Sequence, residues 1–536
     1  MLDPTERLLL SGDAAVARAA LDCGVHLGVG YPGTPSTEIL EDFSKLGGNA
    51  EWAPNEKVAL EVGIGAAFGG AAALVTMKHV GLNVAADPLF TVAYTGVPGA
   101  LVIVSADDPG MHSSQNEQDN RNFAKAAGVP MFEPSDSQEA YDLTREAFRL
   151  SHKHQIPVLL RMTTRTCHSQ TVLRRAAPIR ITEPGAYQRD IKSRVMIPGY
   201  ARPAHRRLRA KLAAIEQEFT GSELNYVVEG DRALGIIASG ISYVHAREAA
   251  PEASFLKLTT THPLPVALAR KFAAGVERCI VIEEGDPYLV ENLRAHGIPV
   301  EGKDEGYRFG ELNVGLVRGI LAHAPAPEPA TPRGRPPQLC AGCPHRTVFA
   351  TLARQNCIVT GDIGCYTLGV LPPFEAMDSC VCMGASIGVG LGLRHVLPPE
   401  EARRVVSVIG DSTFVHSGIT GLVEMAYNPP PTGHLVLIVD NGTTAMTGFQ
   451  EHPGTGKVLD HSPASKLSFE DLVKSIGITR VHVIDPTEDM RAFSDLVKAC
   501  LDSGELAVVI ARRPCLLAER KQTATERAAA SQSCTP

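Results

Sequence analysis

Two apolar strands, each ending in a turn that carries a hard oxygen ligand, constrain this chain more than any other feature. Residues 405–409 (VVSVI) run into Gly410-Asp411-Ser412, and residues 435–439 (LVLIV) run into Asp440-Asn441. Two parallel strands ending side by side place Asp411 and Asn441 at one sheet edge, where open α/β folds bind ligands. A carboxylate, an amide oxygen and a nearby backbone carbonyl suit Mg²⁺, which completes its octahedron with phosphate oxygens and water. Gly410 lets the backbone approach a phosphate closely. The plainer reading is a strand–turn–helix with an N-capping Asp and a later turn Asn. Spacing, strand context and ligand chemistry together favour the ligand set.

A chain of 536 residues holds about three domains, each able to build a core. Hydrophobic content of 44% and a net charge of −8 describe an ordinary globular protein with no nucleic-acid partner. The N-terminus, MLDPTERLLLSG, has no basic-then-apolar run, which predicts a cytoplasmic protein. Residues 58–77 are apolar apart from Glu61 but rich in Gly and Ala. They read as a buried helix leading into a strand, so no membrane association is expected. Twelve cysteines without a secretory signal argue against a disulfide framework.

Strand and helix signals alternate throughout, predicting α/β domains with parallel sheets. Candidate strands lie at 25–30, 73–77, 101–105 and 158–161, then at 233–239, 254–258 and 278–283. Thr34-Pro35 reads as an N-cap followed by Pro at the first helical position. Residues 174–211 are basic, carry several prolines and lack clear periodicity, so they read as a surface excursion. A Pro-rich stretch, 323–338, reads as a semi-rigid linker.

The turns at 410–412 and 440–441 resemble the thiamine diphosphate motif, Gly-Asp-Gly followed about thirty residues later by Asn-Asn, with Ser412 and Asp440 as departures. Such a cofactor also needs a glutamate facing its aminopyrimidine. Glu56 begins an apolar, glycine-containing helix, and general acid–base help of this kind is worth roughly 10²–10⁴-fold. Taken alone, Glu56 reads more readily as an acid favoured by a helix N-terminus, and Glu61 is its rival. Cys340 and Cys343 form a CAGC pair. Zinc would need two further ligands, one from His345; an iron–sulfur cluster would need four thiolates, with Cys365 and Cys515 best placed. Spacing leaves both open. Gly28-x-Gly30-x-x-Gly33 imitates a dinucleotide fingerprint, but a Pro inside the turn and no ribose-binding acid weaken it.

Taken together, YPGTPSTE (31–38), NEKVALE (55–61), TMKHVGLNVAADPL (76–89), SADDPGMHSSQNEQDNR (105–121), CAGCPHR (340–346), GDIGCYTLG (361–369), GDSTFVHSGI (410–419) and DNGTTAMTGFQEHPGTG (440–456) resemble the alpha subunits of the indolepyruvate ferredoxin oxidoreductase family. The similarity spans about 6–518. It implies a thiamine diphosphate-binding α/β fold with two cofactor-binding parallel-sheet domains and a smaller α/β middle domain. The corresponding borders are 1–185 for the pyrimidine-binding domain, 186–223 for a basic connection, 224–322 for the middle domain, 339–518 for the diphosphate-binding domain and 519–536 for a disordered tail. By the same resemblance Glu56 faces the aminopyrimidine, and Asp411, Asn441 and the Thr443 backbone hold Mg²⁺. Gly364, Met383, Gly384, Gly410, Ser412, Met446 and Thr447 adjoin the cofactor. Cys340, Cys343, Cys365 and Cys515 match ligands of a [4Fe–4S] cluster, and Thr34, His79, Asn83, Asp108 and His112 face the substrate.

The implied reaction is oxidative decarboxylation of an arylpyruvate to an acyl-coenzyme A, with electrons passing singly through the cluster to ferredoxin. The implied partner is a small beta (gamma-domain-like) catalytic subunit, in a dimer of heterodimers. Relatives often continue into a ferredoxin-like domain with C-x₂-C-x₂-C-x₃-C runs. Here only Cys534 lies in the tail, so either an external ferredoxin docks close to the cluster or a partner subunit carries the next electron carriers. A non-oxidative thiamine-dependent decarboxylase or carboligase would use the same acids but leave the thiols idle. A non-catalytic assembly subunit would keep the fold without turnover.

Overall fold

A computed structural model describes residues 7–328, 337–521 and 523 and is α/β throughout. Residues 329–336 of the linker, and all of the tail beyond 521 except 523, lie outside the described residues. The chain divides into two units, one on each side of the linker.

In the second unit the two strands of the opening motif sit centrally in a six-stranded parallel sheet. Its order is Ser379–Cys380, Ile358–Gly361, Val405–Gly410, His434–Asp440, Leu506–Arg512 and Arg480–Ile484. Central parallel strands are covered on both faces, which is why they read as unbroken runs of Val, Ile and Leu. Val406, Val408, Leu435 and Leu437 pack with Phe349 and Phe493 on one face. The alternate residues Ile409, Val436 and Ile438 pack with Phe414 and Phe469 on the other. Gly410 pairs with Val439, so Asp411 and Asn441 leave the same edge.

The first unit holds a seven-stranded sheet ordered Thr260–His262, Met131–Phe132, Val158–Thr163, Ala100–Asp107, Ala72–Lys78, Leu27–Gly30 and Ala50–Trp52. All neighbours are parallel except the edge strand Thr260–His262. The 224–322 region builds its own four-stranded sheet over Ile236, Phe255 and Ile280, yet lends Thr260–His262 to its neighbour. Residues 58–77 form the helix Glu56–Phe68 and the strand Ala72–Lys78. Among the described residues no helix is long and apolar enough to cross a membrane.

Two local expectations are corrected. Pro198–Gly221 is a helix that buries Ala204, Leu208, Leu212, Ile215 and Phe219. That i, i+4 stripe is a regular apolar face, masked by the arginines around it. The helix after Thr34 begins later, at Thr37–Lys45, with Ser36 in the cap position. The Ser36 hydroxyl donates to the Gly33 carbonyl at 3.0 Å, so Gly33–Ser36 is a turn of its own.

A buried ionic network joins the two sheets of the first unit. Arg121 is 1% exposed and donates to Asp119, to Glu283 at 2.6 Å and to the carbonyls of Glu284 and Asp286. Removing one partner of such a network strands the others in low dielectric. Arg121→Ala should therefore destabilise the protein by about 3–5 kcal/mol, read from the denaturant midpoint. A loss near that of a surface residue would show that the network does not hold the sheets together.

Candidate active site

In the second unit, Asp411 opens the helical run 411–427 and is 2% exposed. Its Oδ2 accepts from the Gly442 amide at 2.8 Å and from His452 Nε2 at 3.2 Å. The Gly454 amide donates to His452 Nδ1 at 3.2 Å, so the proton facing Asp411 sits on Nε2. Burial alone would raise the Asp411 pKa. The His452 contact, with the Ser412 and Gly442 amides, outweighs burial and holds the carboxyl below its ordinary range. Asn441 bends its own chain, its Oδ1 accepting from the Thr443 amide at 3.1 Å. Its Nδ2 donates to His345 Nε2 at 3.4 Å; burial pulls that imidazole's pKa down to about 4, leaving it a neutral acceptor. Thr444 Oγ1 donates to Ser412 Oγ at 2.9 Å, tying the two strand-end turns together. The Thr447 hydroxyl donates to Gln450, closing the loop that carries the exposed Met446.

Gly364, Met383 and Gly384 lie on neighbouring turns held by Asp362. This acid accepts from the Gly384 amide at 3.2 Å and from the Tyr366 hydroxyl. Gly384 has φ +82°, and a Cβ there would lie 2.6 Å from Ser417 Cβ, so only glycine fits. A Cβ at Gly410 would meet the Tyr366 ring at 2.7 Å, so this glycine also makes room for an aromatic ring of the same fold.

Burial raises the Asp362 pKa to about 8, against the Ser386 and Gly384 hydrogen bonds. A carboxyl raised on folding stabilises the fold fully below its unfolded pKa, and that contribution is lost as pH rises through about 8. Asp362→Asn can keep an acceptor for Gly384 and turn its amide to the Tyr366 oxygen. The variant should melt higher than the parent at pH 8, with the difference closing toward pH 4. Parallel melting curves across that range would contradict a buried, largely protonated Asp362.

The four cysteines singled out by sequence line one cavity of about 100 Å³, together with His345, Asn441 and Phe449. Gly342, at φ +78°, turns the CAGC loop, and the Cys343 amide donates to the Cys340 carbonyl at 3.1 Å. The Cys515 amide donates to the Asn441 carbonyl at 3.0 Å, which brings the end of Leu506–Arg512 to the cavity. Burial, then the neighbouring sulfurs, pushes the Cys365 thiol up to about 12. Burial likewise takes Cys343 to about 11. Thiols so placed ionise only beside a cation, which suits a metal-bearing group.

In the first unit, Glu56 is 4% exposed and starts the helix capped by Asn55. A Cβ at Gly81 would lie 2.6 Å from Glu56 Cγ, so Gly81 makes the space that the acid occupies. Lys78, which sequence reasoning passed over, ends the strand Ala72–Lys78. Its ammonium donates to the Ser113 carbonyl at 2.7 Å, and its stem lies 3.0 Å from a Cβ built on Gly33, beside the half-buried Thr34. Burial pulls Lys78 down to about 8, against the attraction of Asp108 and Glu56. His79 is fully buried and neutral at pH 7, lowered to about 4 first by burial and then by Lys78. Its Nε2–H donates to the Asn116 carbonyl at 3.1 Å.

The other residues expected at the substrate, Asp108, Asn83 and His112, have these partners in the structure. Asp108 accepts from the Ser113 amide and the Ser114 and Thr164 hydroxyls at 2.6–2.8 Å. It anchors its own loop. Asn83 pairs with Gln118 at the surface, and His112 lies exposed 3.7 Å from Glu311.

Comparison with known proteins agrees with this chemistry. Residues 18–192 match the family described as pyruvate flavodoxin/ferredoxin oxidoreductase, thiamine diP-bdg. Residues 362–511 match the thiamine pyrophosphate enzyme, C-terminal TPP binding domain. The indolepyruvate oxidoreductase subunit IorA of Archaeoglobus fulgidus is 41% identical over 96% of this chain and 87% of its own length. The subunit of the same name from Methanothermobacter thermautotrophicus is 39% identical over the same shares. A 2-oxoglutarate:ferredoxin oxidoreductase from Magnetococcus marinus, solved with 2-oxoglutarate, coenzyme A and succinyl-CoA bound, shares the fold at a TM-score of 0.52 and 18% identity. That likeness covers 60% of this chain and 66% of the other. Sequence likeness over nearly the whole length, with both thiamine-binding regions matched, makes this chain a member of the IorA family within the thiamine diphosphate-dependent 2-oxoacid:ferredoxin oxidoreductases.

Proposed function

We propose that this chain is the thiamine diphosphate-binding subunit of an enzyme that oxidatively decarboxylates arylpyruvates of the indolepyruvate type to acyl-coenzyme A, passing electrons through a [4Fe–4S] cluster to ferredoxin. The observation that carries the reading is the meeting of four thiols, with Asn441, around one cavity of about 100 Å³. Four sulfurs drawn to a zinc ion at about 2.3 Å leave no such space, whereas a cube of iron and sulfide needs it. Cys340, Cys343, Cys365 and Cys515 would hold that cluster. Asp411, Asn441 and the Thr443 carbonyl would hold Mg²⁺, with the first amides of the 411–427 helical run facing the diphosphate.

When bound, thiamine diphosphate supplies the nucleophilic carbon and the electron sink that decarboxylation of a 2-oxoacid requires. Glu56 then has the task of holding a proton at the aminopyrimidine. The Lys78 ammonium, beside Thr34, would draw the substrate carboxylate, and neutral His79 would add no competing charge. The arylpyruvate preference rests on the relatives' names, because pockets separate small apolar differences by only about 1–3 kcal/mol. A small beta subunit in a dimer of heterodimers, coenzyme A as cosubstrate and a cytoplasmic setting complete the reading; the relatives are themselves named as subunits.

Anaerobic co-purification with the partner subunit tests this directly. The complex should carry about four irons per chain in this cavity, and should reduce a dye with indolepyruvate and coenzyme A while forming indoleacetyl-coenzyme A. Iron-free protein, or aldehyde release without acceptor reduction, would reject it in favour of the non-oxidative decarboxylase.

A further inference from the structure

We propose a second metal site in the first unit, in which Asp13, Glu38 and His168 bind one divalent transition cation of the zinc type. The three residues come from the helices Gly12–Asp22, Thr37–Lys45 and Thr164–His168. One ligand atom from each lies within 4.8 Å of the others. Carboxylate oxygens and an imidazole nitrogen are donors that zinc takes, and three of them leave a fourth position open.

The independent sign of a ligand is Asp13 itself. It is 1% exposed, yet neither carboxylate oxygen meets a hydrogen-bonding nitrogen or oxygen; the Cys167 thiol is the donor it faces. A carboxylate buried without partners is strongly disfavoured unless it is neutralised or paired with a cation. Its surroundings add negative charge. Glu38 and Asp42 both lie near Asp13, and the cation nearby, Lys45, is held by Asp42 at 3.0 Å. The backbone is built for this meeting as well. A Cβ on Gly12 would lie 2.1 Å from the Thr166 carbonyl, so the glycine lets the 164–168 turn press against the first turn of Gly12–Asp22. Glu38 and His168 are exposed, which leaves an entry path and rotamer freedom to close on an ion. The same turn carries Thr164, the donor to Asp108, so a cation here would brace that loop.

The test uses the full chain and zinc. Equilibrium dialysis of the parent and of a Glu38→Gln/His168→Ala double variant, followed by metal counting, subtracts any zinc taken by the cysteines, which both proteins share. Both changes are at exposed positions, and metal-free melting of the two proteins should agree. The parent should hold one more zinc per chain, and zinc should raise its melting temperature more than the variant's. Equal zinc counts overturn the proposal, whatever the iron content or the 2-oxoacid activity of the preparation.

Discussion

Glu56→Gln should lower 2-oxoacid-dependent turnover by about 10²–10⁴-fold while leaving thiamine diphosphate bound and the fold intact. The amide keeps the shape of the acid but cannot hold a proton at the aminopyrimidine. Glu56 is buried at the start of its helix, with its stem over Gly81. Gly81→Ala supplies an independent arm, since its methyl would lie 2.6 Å from Glu56 Cγ and must displace the acid. That variant should lose much of the same turnover with the carboxylate chemically intact. Glu61→Gln is the control, because Glu61 pairs with Lys57 on the exposed side of the helix. Full activity of Glu56→Gln alongside a damaged Glu61→Gln would transfer the role to the rival acid.

What sequence could and could not reveal follows from the range of each interaction. The central strands were legible because burial on both faces leaves a local trace, an unbroken β-branched run. The strand-end turns were legible for a related reason: Gly410–Ser412 and Asp440–Asn441 must follow such runs directly. The helix Pro198–Gly221 was hidden because its buried stripe is interleaved with arginines, and only its spacing distinguishes it. That Gly410 also makes room for Tyr366, remote in sequence, is something no local signal reports. The partners of Asp108, namely Ser113, Ser114 and Thr164, were out of reach for the same reason. Lys78, the lysine with a perturbed ammonium, was passed over, since its burial exists only in the folded unit. Asp362 was within reach: GDIG repeats the strand–Gly–Asp arrangement of 410–411 and could have been flagged by that echo.

Asp411→Asn should weaken magnesium-dependent thiamine diphosphate binding by more than the roughly 10–100-fold typical of losing a residue that only supports a metal ligand. The substitution is nearly isosteric. Its oxygen can still accept from Gly442, so the turn should survive and the change isolates the charge. That charge matters because Asp411 is kept ionised by His452 and two amides despite complete burial. A site that spends this much to preserve a negative oxygen is built to meet a cation. His452→Gln provides the second arm. Losing the Nε2–H contact frees the carboxylate to rise in pKa, so cofactor binding should weaken chiefly as pH falls toward the carboxylate range. Asp440→Asn should do far less, because Asp440 is committed to Arg512 at 2.7 Å. Calorimetric titration of thiamine diphosphate with and without Mg²⁺ separates the cases. Equal affinity in Asp411→Asn and the parent would mean that the diphosphate is held elsewhere, and the assignment of both strand-end turns would fall with it.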